Sequence, residues 1–251
     1  MKSPAATPHL YGLVGHPLGH SFSAAYFADK FAAEGINARY VNFDMEDIGG
    51  IRALFEAHPE LRGLNVTIPH KQAVIPLLDS LHDDAARIGA VNVVKPDRAG
   101  GTLRLTGFNT DHAGFARSLS AVNKAHRAAL VLGTGGASKA VVFALRNMGI
   151  AVTLVSRTAA AGRIGYDDLT AEVMAAHTLI VNTTPLGMYP KTDACPAIPY
   201  ALLTERHLLY DLVYNPEETL FMRRGRDHGA QVMNGLAMLH GQAEAAWEIW
   251  G

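Results

Sequence analysis

Cysteine is nearly absent from these 251 residues: Cys195 is the only one. No internal disulfide can form, and no cysteine-based metal cluster. Long apolar runs are missing too, so no segment is long enough to cross a bilayer as a helix. Charge of one sign is lacking: 22 Lys plus Arg oppose 23 Asp plus Glu, a net of -1. Such a chain has no general attraction for nucleic acid or for an anionic membrane. The first residues, Met1–Pro8, do not have the charged-then-apolar layout of a signal peptide. These absences point to a reducing compartment, most simply the cytoplasm. Twelve histidines is a generous count. His58, His82, His112, His177 and His228 nevertheless show no ligand spacing, and no metal site is expected.

What is present is an ordinary globular composition, 49% hydrophobic and 18% charged, with length enough for one large core or two modest ones. Strand and helix patterns alternate throughout. In the first half, strands are expected at Leu10–Val14, Ala38–Met45, Leu64–Ile68, Ala90–Val94 and Leu103–Phe108. Helices are expected at Ser21–Glu34, Ile51–His58, Val74–Leu81 and Asp83–Ile88. The last two strands meet at a polar turn around Gly100 and Gly101, which predicts a mixed sheet. After Thr110 the character changes. Ala128–Gly133 is continuously apolar, as in a strand covered on both faces. A helix over Lys139–Met148 follows, then strands at Ala151–Val155, Thr178–Val181, Leu208–Val213 and Gln231–Met233, and an amphipathic helix over Leu236–Trp250. This β-α-β series predicts a parallel sheet with right-handed crossovers. The fold class is therefore α/β: an N-terminal α/β unit, then a nucleotide-binding unit from about Thr110.

The turn Gly133-Thr134-Gly135-Gly136-Ala137-Ser138 lies between a strand and a helix, the context a dinucleotide site requires. Gly133 permits the tight turn. Gly135 lets backbone amides approach a pyrophosphate, and the helix N-terminus adds partial positive charge. Ser138 stands where the third glycine of the usual fingerprint would be, and a tight turn of any α/β protein would read similarly. The next strand sharpens the picture. An NAD site normally ends that strand with a carboxylate for the ribose hydroxyl. Here it ends Ser156-Arg157-Thr158. A guanidinium at Arg157 can face adenine or pair with a phosphate, so the site reads as built for a 2′-phosphate, meaning NADP, with Arg163 as a possible second charge. The bland alternative is a solvated strand-end arginine.

Polar residues also interrupt apolar stretches of the first half. Asn65 and Thr67 break a strand that delivers Lys71 at its C-terminal end, where α/β sheets open onto ligand crevices. A lysine there can serve as acid, base or oxyanion anchor; read alone, it is more simply a surface lysine opening a helix. Asn92 sits in another apolar strand. Asp111 follows a strand and can act as a helix cap, as can Ser21 and Ser23. Gln242 lies among apolar residues of the last helix. A pocket of hydroxyls and amides with one Lys and one Asp suits a small polyhydroxy carboxylic acid.

Taken in order, these motifs resemble the shikimate dehydrogenase family over nearly the whole chain. The opening motif is Gly15-His16-Pro17 through His20-Ser21-Phe22-Ser23, and the lysine motif runs from Asn65 through Thr67 to Lys71. Asn92, Asn109-Thr110-Asp111 and the turn Gly133–Ala137 follow. Asn182 through Thr184 to Met188, Asp211 through Tyr214 to Pro216, and Gly235 through Met238 to Gln242 complete the series. The resemblance implies NADP-dependent reduction of 3-dehydroshikimate to shikimate, in aromatic amino acid biosynthesis. It implies that Ser21 and Ser23 hold the substrate carboxylate, and that Thr67, Asn92 and Gln242 bond its hydroxyls with Tyr214 beside them. Lys71 and Asp111 would flank the reacting oxygen. Gly133, Gly135, Gly136, Ala137, Ser156, Arg157, Thr158, Thr184, Met188, Gly235 and Met238 would hold the cofactor, the last two beside the nicotinamide. It further implies that the last helix returns to the first domain. Residues 1–109 with 235–251 would form the substrate domain, and 110–234 a Rossmann-like NADP domain. The family usually carries proline where Ala24 stands and often His-Asn at Phe27-Ala28; the second basic residue of the phosphate motif is displaced to Arg163.

Rival readings are a quinate/shikimate dehydrogenase of broader range, an enzyme acting on an aminated analogue, and a non-catalytic sensor of shikimate or NADP. Retention of both Lys71 and Asp111 favours turnover over sensing. The expected partners are the small-molecule substrate and, in assembly, either nothing or a second copy: a monomer or a homodimer.

Overall fold

The structure is a computed structural model that describes residues 7–19, 22–122 and 126–251. It divides into two compact units, Met1–Thr110 with Ala243–Gly251, and Asp111–Gln242.

The first unit contains β1 (His9–Gly15), α1 (Phe22–Ala33), β2 (Ala38–Asp44), α2 (Ile51–Ala57), β3 (Leu61–Val66), β4 (Ser80–Leu81), α3 (Asp83–Ile88), β5 (Val93–Asp97) and β6 (Arg104–Phe108). Its sheet has the order β2-β1-β3-β5-β6-β4. β1 is parallel to β2 and β3, whereas β5 is antiparallel to β3 and β6, so the mixed sheet expected from the sequence is present. The two-residue period of β1 sorts its side chains. Leu10 and Val14 pack with Ile51, Phe55 and Leu64. Tyr11 and Leu13 face Phe27, Phe31 and Trp250. Successive strands lie on opposite sides of β1, which makes the C-terminal ends of β1 and β3 a topological switch point, the place where ligands bind in open α/β sheets.

The second unit contains α4 (Asp111–Ser120), β7 (Ala128–Leu132), α5 (Gly136–Asn147), β8 (Ala151–Ser156), β9 (Arg163–Gly165), α6 (Ala171–Ala176), β10 (Leu179–Asn182), β11 (Leu208–Asp211), α7 (Leu220–Asp227), β12 (Gln231–Met233) and the start of α8 (Leu236–Trp250). The division between the units falls within α8, after Gln242 and not at Gly235. The sheet order β12-β11-β10-β7-β8-β9 is parallel throughout. This is the doubly wound dinucleotide-binding order, with its switch point between β7 and β10. The continuous apolar run of β7 has the expected cause. Ala129 and Val131 bury against Phe115, Val141 and Leu145 on one face. Leu130 and Leu132 bury against Met174, Ile198 and Phe221 on the other.

One expected helix is not there. Val74–Leu81 holds a single 3-10 turn, Ile75–Leu77, followed by β4. Pro76 lacks the amide a longer helix needs there. Asp79 then fastens the segment to the sheet by accepting from the Leu105 amide at 2.6 Å and from Arg52 at 2.9 Å. The strand expected at Ala90–Val94 instead begins at Val93 and reaches Asp97. The short elements β9, α6 and α7 lie in stretches whose patterns are too brief to read.

Candidate active site

In the first unit a thread of buried hydrogen bonds runs behind the switch point. The Ser23 hydroxyl, near the start of α1, is hydrogen-bonded to the Tyr40 oxygen. Tyr40 OH donates to Asn65 Oδ1 at 2.8 Å, and Asn65 Nδ2 donates to the Asn92 carbonyl at 3.2 Å. Asn92 Nδ2 donates to Thr110 Oγ1 at 2.9 Å while its Oδ1 accepts the Thr110 amide at 2.7 Å. Asn65, Asn92 and Thr110 are all buried. Burial holds the Tyr40 phenol well above its ordinary value, with the Ser23 bond pulling the other way. The thread satisfies polar groups that would otherwise be costly inside a core, and it fixes which way the strand-end amides point.

The same switch point shapes the lysine loop. The Thr67 amide still pairs with the Val14 carbonyl (2.9 Å) beyond the end of β3, and the His16 amide pairs with the Ile68 carbonyl (3.1 Å). Buried His70 donates through Nε2 to the Met45 carbonyl at 2.6 Å. The Lys71 carbonyl accepts the Val91 amide at 2.7 Å. Lys71 is thus half-buried and sits in an irregular turn, not at the head of a helix. The opening loop is tied down by Asp44, which accepts from His16 Nδ1 (2.6 Å) and from the Leu18 amide (2.9 Å); the His16 bond holds this carboxyl below its usual range. Ser21 lies outside the described residues.

In the second unit Gly133 follows β7 with φ +113°, a conformation that only glycine adopts without strain. Ser138 Oγ donates to its carbonyl at 2.8 Å, so the serine that replaces the usual third glycine braces the turn from inside. Gly135 caps α5 with no side-chain hydrogen bond, and a Cβ there would meet nothing within 4 Å. Gly135 is exposed, and Gly136 and Ala137 at the start of α5 are half-buried, which fits an approaching pyrophosphate. Ser156 Oγ donates to the Thr158 carbonyl at 2.6 Å, closing a turn from which Arg157 projects exposed. No carboxylate lies in Leu154–Thr158, so the residues present fit a 2′-phosphorylated dinucleotide. Arg163 lies in β9, beside Leu154 of β8.

Asp111 is the buried first residue of α4. That helix crosses α8 at Gly114, where a Cβ would lie 2.6 Å from the Met238 carbonyl and 2.7 Å from the Gln242 amide nitrogen. The crossing sets Asp111 one turn from the level of Met238 and Gln242. Gln242 is buried, with Nε2 donating to the Leu239 carbonyl at 3.1 Å. Thr184 follows β10, Met188 is exposed on the same loop, and Tyr214 follows β11 with burial raising its phenol. The Gly235 amide joins the Val213 carbonyl at 3.2 Å.

With this geometry in place, comparison with known proteins is decisive. Residues 13–94 match the shikimate dehydrogenase substrate binding domain. A shikimate dehydrogenase (NADP(+)) of Symbiobacterium thermophilum is 41% identical over 96% of this chain and 88% of its own length. The chain belongs to the shikimate dehydrogenase family. Among solved family structures, the shikimate 5-dehydrogenase of Thermus thermophilus in complex with NADP(H) and shikimate superposes with a TM-score of 0.83. It is 35% identical and covers 96% of this chain and 93% of that one. The quinate dehydrogenase of Corynebacterium glutamicum in complex with NAD gives the same TM-score at 30% identity, covering 97% and 93%.

Tyr40, Asp44 and Thr219 are polar residues of this framework that sequence reasoning passed over. Tyr40 looks like one more core aromatic of an alternating strand. Asp44 gains its meaning only from the register that sets it beside Gly15. No helix of the described residues is long and apolar enough to cross a membrane.

Proposed function

We propose that this chain is an NADP-dependent oxidoreductase that reduces 3-dehydroshikimate to shikimate in the cytoplasm, as a monomer or homodimer. The observation that carries the reading is the pairing of a dinucleotide turn, ending in Arg157 without a carboxylate, with a strand-end cluster of Thr67, Lys71 and Asn92 in a member of this family. Residues 1–109 with 235–251 make up the substrate domain, and 110–234 the cofactor domain.

NADPH supplies the hydride when bound. Gly133, Gly135, Gly136 and Ala137 offer turn and helix amides to its pyrophosphate. Ser156, Arg157 and Thr158 take the 2′-phosphate. Thr184, Met188, Gly235 and Met238 line the nicotinamide. Ser21 and Ser23 bind the substrate carboxylate, while Thr67, Asn92, Tyr214 and Gln242 bond its hydroxyls and orient the ring. As negative charge grows on the carbonyl oxygen, Lys71 stabilises it and delivers the proton. Asp111 orients the ammonium and accepts from a substrate hydroxyl.

Initial rates with shikimate and with quinate, each with NADP and NAD, test this reading. Highest kcat/KM for shikimate with NADP supports it. Comparable use of quinate and shikimate would favour the broader-range enzyme. Binding of shikimate and NADP without turnover would leave a sensor.

A further inference from the structure

The loops that leave β10 and β11 meet at one carboxylate. Asp211, the last residue of β11, is fully buried. One oxygen accepts from Asn182 Nδ2 at 2.9 Å and from the Val213 amide at 3.0 Å; the other accepts from Thr219 Oγ1 at 2.6 Å. Asn182, fully buried at the end of β10, passes the connection on. Its Oδ1 accepts both the Thr184 amide (3.0 Å) and Thr184 Oγ1 (2.7 Å), and Thr184 Oγ1 accepts the Leu186 amide (3.3 Å). Thr219 caps α7, its hydroxyl accepting the Met222 amide at 3.3 Å. Backbone bonds lace the loops directly: Tyr189 amide to Asn215 carbonyl at 3.0 Å, and Leu212 amide to Asn182 carbonyl at 3.0 Å.

These three donors to Asp211 are neutral, so the carboxylate stays buried without an ion pair among them. Desolvation pushes it up to about 6, against hydrogen bonds that favour its charged form. An apolar side chain in the same space would leave the Asn182, Val213 and Thr219 donors without an acceptor. What only a carboxylate can do is accept on every lone pair while donating nothing.

We infer that Asp211 is a positioning residue, which locks loops 183–189 and 212–219 in one register so that Thr184, Met188 and Tyr214 are presented together. It acts through Asn182, Val213 and Thr219. The inference rests on the assignment of Thr184, Met188 and Tyr214 given above, but the coupling of the loops belongs to the chain and is readable without ligand.

The test compares Asp211→Asn, Thr219→Val and Thr219→Ser with the parent. Asparagine at 211 turns its NH2 toward one of the donors and breaks the acceptor cluster. Hydrogen exchange of the free protein should then accelerate by about tenfold or more in both loops together, with β7 unchanged. Thr219→Val should accelerate both loops less, and Thr219→Ser should match the parent. In steady-state kinetics, Asp211→Asn should raise KM for NADP and for shikimate by about tenfold each, with kcat changed several-fold less. Acceleration confined to one loop, spread evenly through the second unit, or absent would overturn the inference. If Asp211→Asn does not fold, Thr219→Val carries the same readings. Coupled acceleration in a chain that fails to turn over shikimate would keep the positioning role and remove the proposed activity; normal turnover with uncoupled loops would do the reverse.

Discussion

Replacing Tyr40 with Phe removes one oxygen from the middle of the first unit's polar thread. The ring keeps its place, stacked on Phe27 with centroids 4.7 Å apart, so no apolar packing is lost. Two hydrogen bonds go: the one Tyr40 donates to Asn65 Oδ1 at 2.8 Å and the one from Ser23. Ser23 is half-buried and can turn to water. Asn65 is 5% exposed, and its Oδ1 loses this donor without gaining solvent. A buried acceptor left unsatisfied costs about 1–3 kcal/mol, so a loss near 2 kcal/mol is expected. With a urea m-value of about 2 kcal/mol/M, the unfolding midpoint should fall by about 1 M at unchanged m. Urea denaturation followed by circular dichroism measures this directly. A midpoint within about 0.2 M of the parent would mean that Asn65 does not depend on Tyr40, and the thread would lose its energetic role.

Three further outcomes follow from the assigned residues. Arg157→Ala should weaken NADP by about tenfold or more, about 1.4 kcal/mol, and leave NAD nearly unchanged; parallel KM determinations with both cofactors check it. Ser21→Ala and Ser23→Ala should raise KM for shikimate with thermal stability nearly intact, whereas serines that only capped α1 would cost about 1 kcal/mol of stability and leave kinetics alone. Asp111→Asn should slow turnover while NADP affinity, measured by calorimetry, stays near that of the parent.

Much of this architecture is legible in the sequence because its signals are local. The apolar run of β7 and the glycines after it announce a covered parallel strand feeding a helix, and Ser156-Arg157-Thr158 announces the cofactor by the carboxylate it lacks. The strand-end amides stand out because Asn65 and Asn92 are chemically wrong for the core positions their neighbours occupy. What escaped reading depends on partners distant in sequence. Tyr40 is an apolar-face residue until β2 is set in register with β1 and β3. Thr219 is an ordinary cap until Asp211 is found behind it. Pro76 makes Val74–Leu81 a turn and a short strand, an outcome that the apolar spacing of that segment conceals. The division of the chain at Gln242 and Ala243, inside one unbroken helix, has no composition signal at all.

The proposed chemistry depends most directly on Lys71. A half-buried lysine in a turn pinned by His70 and by the Val91 amide is assigned the proton that completes the reduction. Steady-state kinetics of Lys71→Ala beside the parent, with NADP affinity measured separately, tests that assignment. The parent should oxidise shikimate with NADP, and the variant should lose about 10²-fold or more in kcat, with KM and NADP affinity changed far less. Near-parental kcat in Lys71→Ala would contradict the assignment and leave the proton to another group.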